Sequence, residues 1–297
     1  MALTITSQIL KDLRTTLQAA FSKGMQSGET FYQRIASVIP SNSSRNTYPD
    51  LSQWPAFRKW VGERQFKDLS ATAYSIENET FEASVSVKRE DIEDDNLGVP
   101  AHIAETSGMA ALTFPDELIA ELVSGGFVKT GYDGKPFFAA DHMGKDGAED
   151  QSNIVGNPAD GISAILLCTT KPFKPFIVQP RREFKLTSQF DENSEAVFNR
   201  NVFEYGSDGR VGVGYGPWML AVAICGELTS AKYAEARARM AGFVSTEGRK
   251  YSLRGDLLMV GSANEGAALE ILTADKLTGG KSNIWKGTAE VMVNPYL

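Results

Sequence analysis

In ILKDLRTTLQAAFSKGM the apolar residues Ile9, Leu10, Leu13, Leu17 and Phe21 recur at helical spacing, which predicts an amphipathic helix over residues 4–24 that ends at Gly24 and Gly28. The next stretch, PSNSSRNTYPDLSQWP, is polar and rich in Ser, Asn and Pro, so it reads as an extended arm ordered by a neighbouring surface. Beyond Trp54 the period changes. Phe81, Ala83, Val85 and Val87 alternate with Glu82, Ser84, Ser86 and Lys88, a period-two strand. Residues 69–76 share the tendency, and Glu77–Thr80 offers a turn, so the two halves are expected to form a long, charged hairpin. An isolated hairpin is marginal in water, so this one is expected to project and lie on another subunit.

After the acidic run Glu90, Asp91, Glu93, Asp94 and Asp95, a long helix is predicted from His102 to Val123, carrying Ile103, Met109, Leu112, Leu118, Ile119 and Leu122. Pro115 lies inside it and predicts a bend or a restart, Gly125 and Gly126 end it, and Asp133-Gly134 supplies a turn. From Ile162 to Ile224, short runs such as AILL, PFIVQ, REFKL, VFNRNVFEY and RVGVGYGPWMLAVAI read as strands. The remainder predicts a helix over LTSAKYAEARARMAGF capped by Thr229 or Ser230, a strand at LLMVG, a helix at NEGAALEILTA and a last strand at AEVMVNPY. The class is therefore α+β. No internal repeat or low-complexity tract is present.

Composition narrows the function. The 297 residues are 42% hydrophobic and 23% charged, enough for one large domain or two modest ones. No signal peptide opens the chain and no apolar run is long enough to span a bilayer, so a soluble protein made in a cytoplasm, without a membrane partner, is expected. The net charge of -7 disfavours wrapping a phosphate backbone. The densest basic stretch, Lys171, Lys174, Arg181, Arg182 and Lys185, reads first as a strand edge or subunit contact and second as a surface facing DNA. Cys168 and Cys225 sit in apolar runs and are given no chemical role.

Signatures of catalysis are missing from the sequence. With two histidines, His102 and His142, no multi-histidine metal site can form. Asp141, His142, Asp146, Glu149 and Asp150 lack the ligand spacing of a calcium loop and read as a solvated loop. GVGYG, Gly212 to Gly216, runs into an apolar strand instead of opening a helix, so its glycines point to a bulge or close strand packing. The run from Glu90 to Asp95 reads as a solvated cap ahead of a helix. No catalytic, cofactor-binding or metal residue is assigned, and no cofactor is expected.

Several phrases together resemble the major head subunit family of Mu-like phages, which has the tailed-phage capsid shell fold named after the Hong Kong phage. They are TITSQILKDLRTTLQAAF, FEASVSVKREDIEDDNLG, TGYDGKPFFAADH, KPFIVQPRREF, VFEYGSDGRVGVGYGPWMLA and NIWKGTAEVMVNPYL, spread over nearly the whole chain. The resemblance implies an N-terminal arm (1–47), an extended loop on a long β-hairpin (48–90), a peripheral domain (91–228) with a spine helix at about 102–124, and an axial-type α+β unit (229–297). It also implies an icosahedral shell around double-stranded DNA, built from pentamers and hexamers of this chain and assembled in the bacterial cytoplasm. Further partners would be a portal, decoration proteins and, because the chain opens directly on arm-like sequence, a separate scaffolding protein. Some proteins of this fold cross-link through a Lys–Asn isopeptide bond. Lys67 lies in the expected hairpin, but no catalytic acid can be matched, so non-covalent contacts are expected.

The rivals are another phage head or tail subunit, which should lack this order of arm, hairpin and spine helix, and a soluble hydrolase built from scattered carboxylates. An enzyme would run as a monomer or small oligomer. On the capsid reading, deleting about residues 65–85 is expected to leave a folded, soluble subunit that cannot close shells.

Overall fold

The computed structural model describes residues 6–51, 74–94, 98–191, 194–276, 280 and 282–297. Helix α1 (Ser7–Ser27) starts at Thr6, whose side chain accepts from the Ile9 N–H, and runs through Gly24 to Gly28. It lies along α4 (Gly98–Ser124), with Leu10, Leu13, Leu17 and Phe21 buried between them. Gly24 is a contact, not the expected stop. A Cβ there would sit 2.0 Å from the Glu105 carbonyl oxygen, and one on Gly108 would sit 2.2 Å from that of Phe21. The helices therefore meet backbone to backbone.

The buried stripe of α4 runs Pro100, Ala104, Gly108, Ala111 and Pro115, whereas Ile103 and Met109, two of the apolar residues that outlined the helix in the sequence, are exposed. The size of the residues decides this, because small side chains let α1 approach. Helix α4 continues past Pro115, and its final turns bury Ile119, Leu122 and Val123 in a second cluster.

Between α1 and α4 come α2 (Tyr32–Ile35), β1 (Ala36–Val38), β2 (Arg45–Thr47), β3 (Ser75–Glu77), β4 (Glu79–Lys88) and α3 (Arg89–Glu93). After α4 the chain forms β5 (His142–Met143), β6 (Glu149–Gln151), β7 (Ile154–Val155), β8 (Ile162–Leu167), β9 (Phe176–Gln189), α5 (Glu195–Arg200), β10 (Val202–Tyr215) and β11 (Ala221–Cys225). Then follow α6 (Ser230–Gly242), capped by Thr229, β12 (Leu257–Val260), α7 (Glu265–Leu272) and β13 (Glu290–Val293). One sheet has the order β1-β9-β10-β4, a second β13-β12-β8-β11-β7.

The hairpin expected to fold back at Glu77–Thr80 is not formed. Strand β3 pairs with β2, and β4 pairs antiparallel with β10 along its whole length, from Glu79 with Val211 to Lys88 with Val202. The segment just before Glu79 already runs beside β10: a Cβ on Gly212 would meet the Glu77 carbonyl oxygen at 2.3 Å, and one on Gly214 the Ile76 side chain at 2.3 Å. These glycines provide the close strand packing read from GVGYG. The physical cause is burial. Phe81 packs edge-on to Phe114 of α4 at 4.7 Å, and Val87 joins Phe203, Tyr205 and Leu186, so β4 gains an apolar floor that a free hairpin lacks.

Other expectations change for similar reasons. The polar stretch after α1 packs on its own chain: Ser41 N–H donates to the Pro180 carbonyl, and Tyr48 and Leu51 are buried. VFNR, expected as strand, belongs to α5, because Ser194 caps its start and Asn201 closes it with φ of 54°. The boundary expected at residue 228 runs through the five-stranded sheet, where β12 pairs with β8 and β13 with β12. Residues 52–73, including Lys67 and the first part of the expected hairpin, lie outside the described residues.

Candidate functional site

The groups singled out in the sequence are placed mostly in structural roles. His142 is fully buried, its ring stacked on Trp218 at 4.0 Å and its Nδ1 2.7 Å from Asp133 Oδ2. The hairpin of β5 and β6 holds Asp141 and Glu149 around Lys135, at 2.6 and 3.1 Å from its Nζ. Those two hydrogen bonds raise the Lys135 ammonium above its ordinary range, and Lys135 in turn holds Asp141 below the usual carboxylate range. Lys135 thus offsets part of the loop's negative charge, and His142 is drawn inward instead of standing in solvent. Among the described residues, no group of three or more His, Cys, Asp and Glu side chains is placed to hold a metal ion.

Glu90 and Asp91 form the first turn of α3, a short helix of their own, and Arg89 pairs with Glu93 at 2.9 Å. Cys168 and Cys225 are buried and free, and burial pushes the Cys225 thiol up. His102 stands exposed on α4. No described helix is long and apolar enough to cross a membrane.

The basic stretch divides in two. Lys174 Nζ donates to the Gln33 carbonyl at 2.5 Å, and burial lowers its ammonium. Arg181, Arg182 and Lys185 lie on β9 beyond Pro180, whose carbonyl still accepts the Ser41 N–H, so the chain after β1 lines that edge as far as Pro180. Arg182 there pairs with Asp208 of β10.

Other surfaces gave no sequence signal. Phe198 on α5 is 88% exposed, Val128 after α4 81%, and Ile284 before β13 74%, three large apolar side chains on separate elements. A cavity of about 500 Å³ opens between the end of α4 and the five-stranded sheet, lined by Val123, Phe127, Ile162, Met259, Tyr296 and Leu297 among others. A second basin lies on the polar outer face of the other sheet, over Ser84, Ser86, Thr187 and Glu204. Isolated apolar side chains are common on surfaces.

Such an arrangement offers contact surfaces. Residues 10–297 match the family described as Mu-like prophage major head subunit gpT, and the chain belongs to that family. It is 35% identical over 303 residues to the major capsid protein of Escherichia phage Mu, covering 99% of both chains. It is 32% identical to the Mu-like prophage FluMu major head subunit of Haemophilus influenzae, over 90% of each. Among solved structures, a chain of the bacteriophage JBD30 procapsid superposes with a TM-score of 0.87 at 35% identity, over 99% of this chain and 100% of the other. One of the JBD30 capsid superposes at 0.79 and 25% identity, over 99% of each. The chain is thus a major head, or capsid, subunit with the tailed-phage shell fold, a structural protein of the virion that associates into an oligomeric shell.

Proposed function

We propose that this subunit closes into an icosahedral shell around a double-stranded DNA genome, through pentamers and hexamers held by non-covalent contacts. A contact between different patches, repeated by rotation, closes rings, and rings of two sizes close a shell. The whole-length likeness to the JBD30 procapsid subunit carries the reading. In it, α1, α4 and the four-stranded sheet form the peripheral body, with α4 as its spine, and the five-stranded sheet with α6 and α7 forms the axial body. A separate scaffolding protein guides assembly in the bacterial cytoplasm, and a portal occupies one vertex. The JBD30 capsid is decorated with minor capsid protein trimers, and comparable decoration is proposed here. DNA contacts the inner surface without sequence preference, since the net charge of -7 leaves only local basic stretches to face it. The subunit acts by association, not by catalysis.

Sedimentation and negative-stain electron microscopy test this on the full chain, alone and co-expressed with the scaffolding protein of its own phage. Rings, tubes or icosahedral shells are expected. Persistent monomers under both conditions would overturn the proposal.

A further inference from the structure

At the far end of the β9–β10 ribbon, the chain interrupts two long strands with one short helix. Val197 and Ala196 of α5 point inward and are buried, Val197 in the cluster with Phe203 and Tyr205. The next residue, Phe198, points outward with 88% of its surface exposed. Folding of α5 does not require an aromatic there, since the inward residues and the caps already define it.

The helix is fixed at both ends. Ser194 Oγ accepts from the Val197 N–H at 3.4 Å, the Phe198 N–H donates to the Ser194 carbonyl at 3.0 Å, and the Asn201 N–H to that of Val197 at 3.0 Å. The neighbouring polar groups are engaged within the chain: Asn199 donates to Glu195 at 3.4 Å, and Arg200 pairs with Glu204. Phe198 is therefore an aromatic anchor on a capped mount whose polar neighbours are already engaged, so little order remains to be imposed when something covers it. Aromatic anchors within a polar rim are how protein interfaces concentrate their affinity.

We infer that Phe198 is an assembly anchor, buried against a second copy of this chain when subunits join. The occupant follows from the company the chain keeps: members of its family are head subunits, so another copy is the protein surface presented to it in greatest number. The inference rests on the assembly reading above and adds to it a residue and an element.

The test uses the full chain with its scaffolding protein. Phe198→Asp should keep the wild-type circular dichroism and melting curve yet need about tenfold or more higher concentration to form shells, while Phe198→Leu should assemble close to wild type. In a Phe198→Cys variant, the new thiol should react with a maleimide in free subunits and be protected about tenfold or more in shells; Cys168 and Cys225 are buried and supply the baseline. If Phe198→Asp fails to fold, the thiol protection decides alone. Normal shell formation by folded Phe198→Asp, or an equally reactive thiol in shells, overturns the inference. So does the formation of normal shells that have lost only their minor capsid protein, which would assign Phe198 to decoration. Failure of the wild type to assemble at all would refute the assembly reading and this inference with it.

Discussion

Asp116 sits inside α4 with almost no solvent contact, where it accepts the N–H of Tyr32 at 2.7 Å and of Phe31 at 3.3 Å. It thereby holds the first turn of α2, through which the chain returns from α1 to β1. Burial pushes its carboxyl up to about 6, outweighing the two N–H donors, which favour the charged form. Folding accordingly favours the protonated acid: the stability this group contributes is complete below its ordinary value of 3.8 and is lost as pH rises through about 6. Asp116→Asn cannot titrate. In urea unfolding from pH 4 to pH 7, the wild type should lose on the order of 1–3 kcal/mol relative to this variant. A constant difference across that window would show that Asp116 is not the titrating group.

Among the elements, β4 carries the largest change of meaning between sequence and structure. Its alternation is plain from Phe81 to Val87, but the sequence gives no sign of its partner, because β10 lies more than a hundred positions further along the chain. The turn reading at Glu77–Thr80 failed because Asn78 is buried there, its Nδ2 donating to Ser41 Oγ and the Ser43 carbonyl, and accepting at Oδ1 from Gln179. A polar residue that looks like a turn is a buried bracket between strands. Deleting residues 65–85 should therefore remove soluble protein, reversing the expectation drawn from sequence, since it strips most of β4 from β10 and removes Asn78 from the interior. Expression and circular dichroism of the deletion check this, and a folded, soluble product would return β4 to a projecting role. Helices α1, α6 and α7 were legible because each carries a regular apolar stripe or a cap. Phe198 was not, since outward and inward apolar residues look alike in a sequence until a backbone sets their direction.

At the scale of the whole molecule, α4 is shared between two hydrophobic clusters: Ala104 and Ala111 belong to the one with α1, Ile119, Leu122 and Val123 to the one beneath the five-stranded sheet. The sheets are also interleaved in sequence, so no cut through the chain separates them. Thermal or urea unfolding of the free subunit should be a single transition, with near-ultraviolet circular dichroism and far-ultraviolet signals coinciding. Two separated transitions would mean that the clusters melt independently and that α4 does not couple them.

The pairing of β1 with β9, Ala36 beside Phe176, has a consequence in time. Synthesis proceeds at about 5–20 residues per second, so on the order of ten seconds separates the appearance of the two strands at the ribosome. During that interval β1 and β4 are translated but have no mate, and the alternating apolar face of β4 is open to other nascent chains. An unfinished sheet of this kind is prone to aggregate until β9 and β10 arrive.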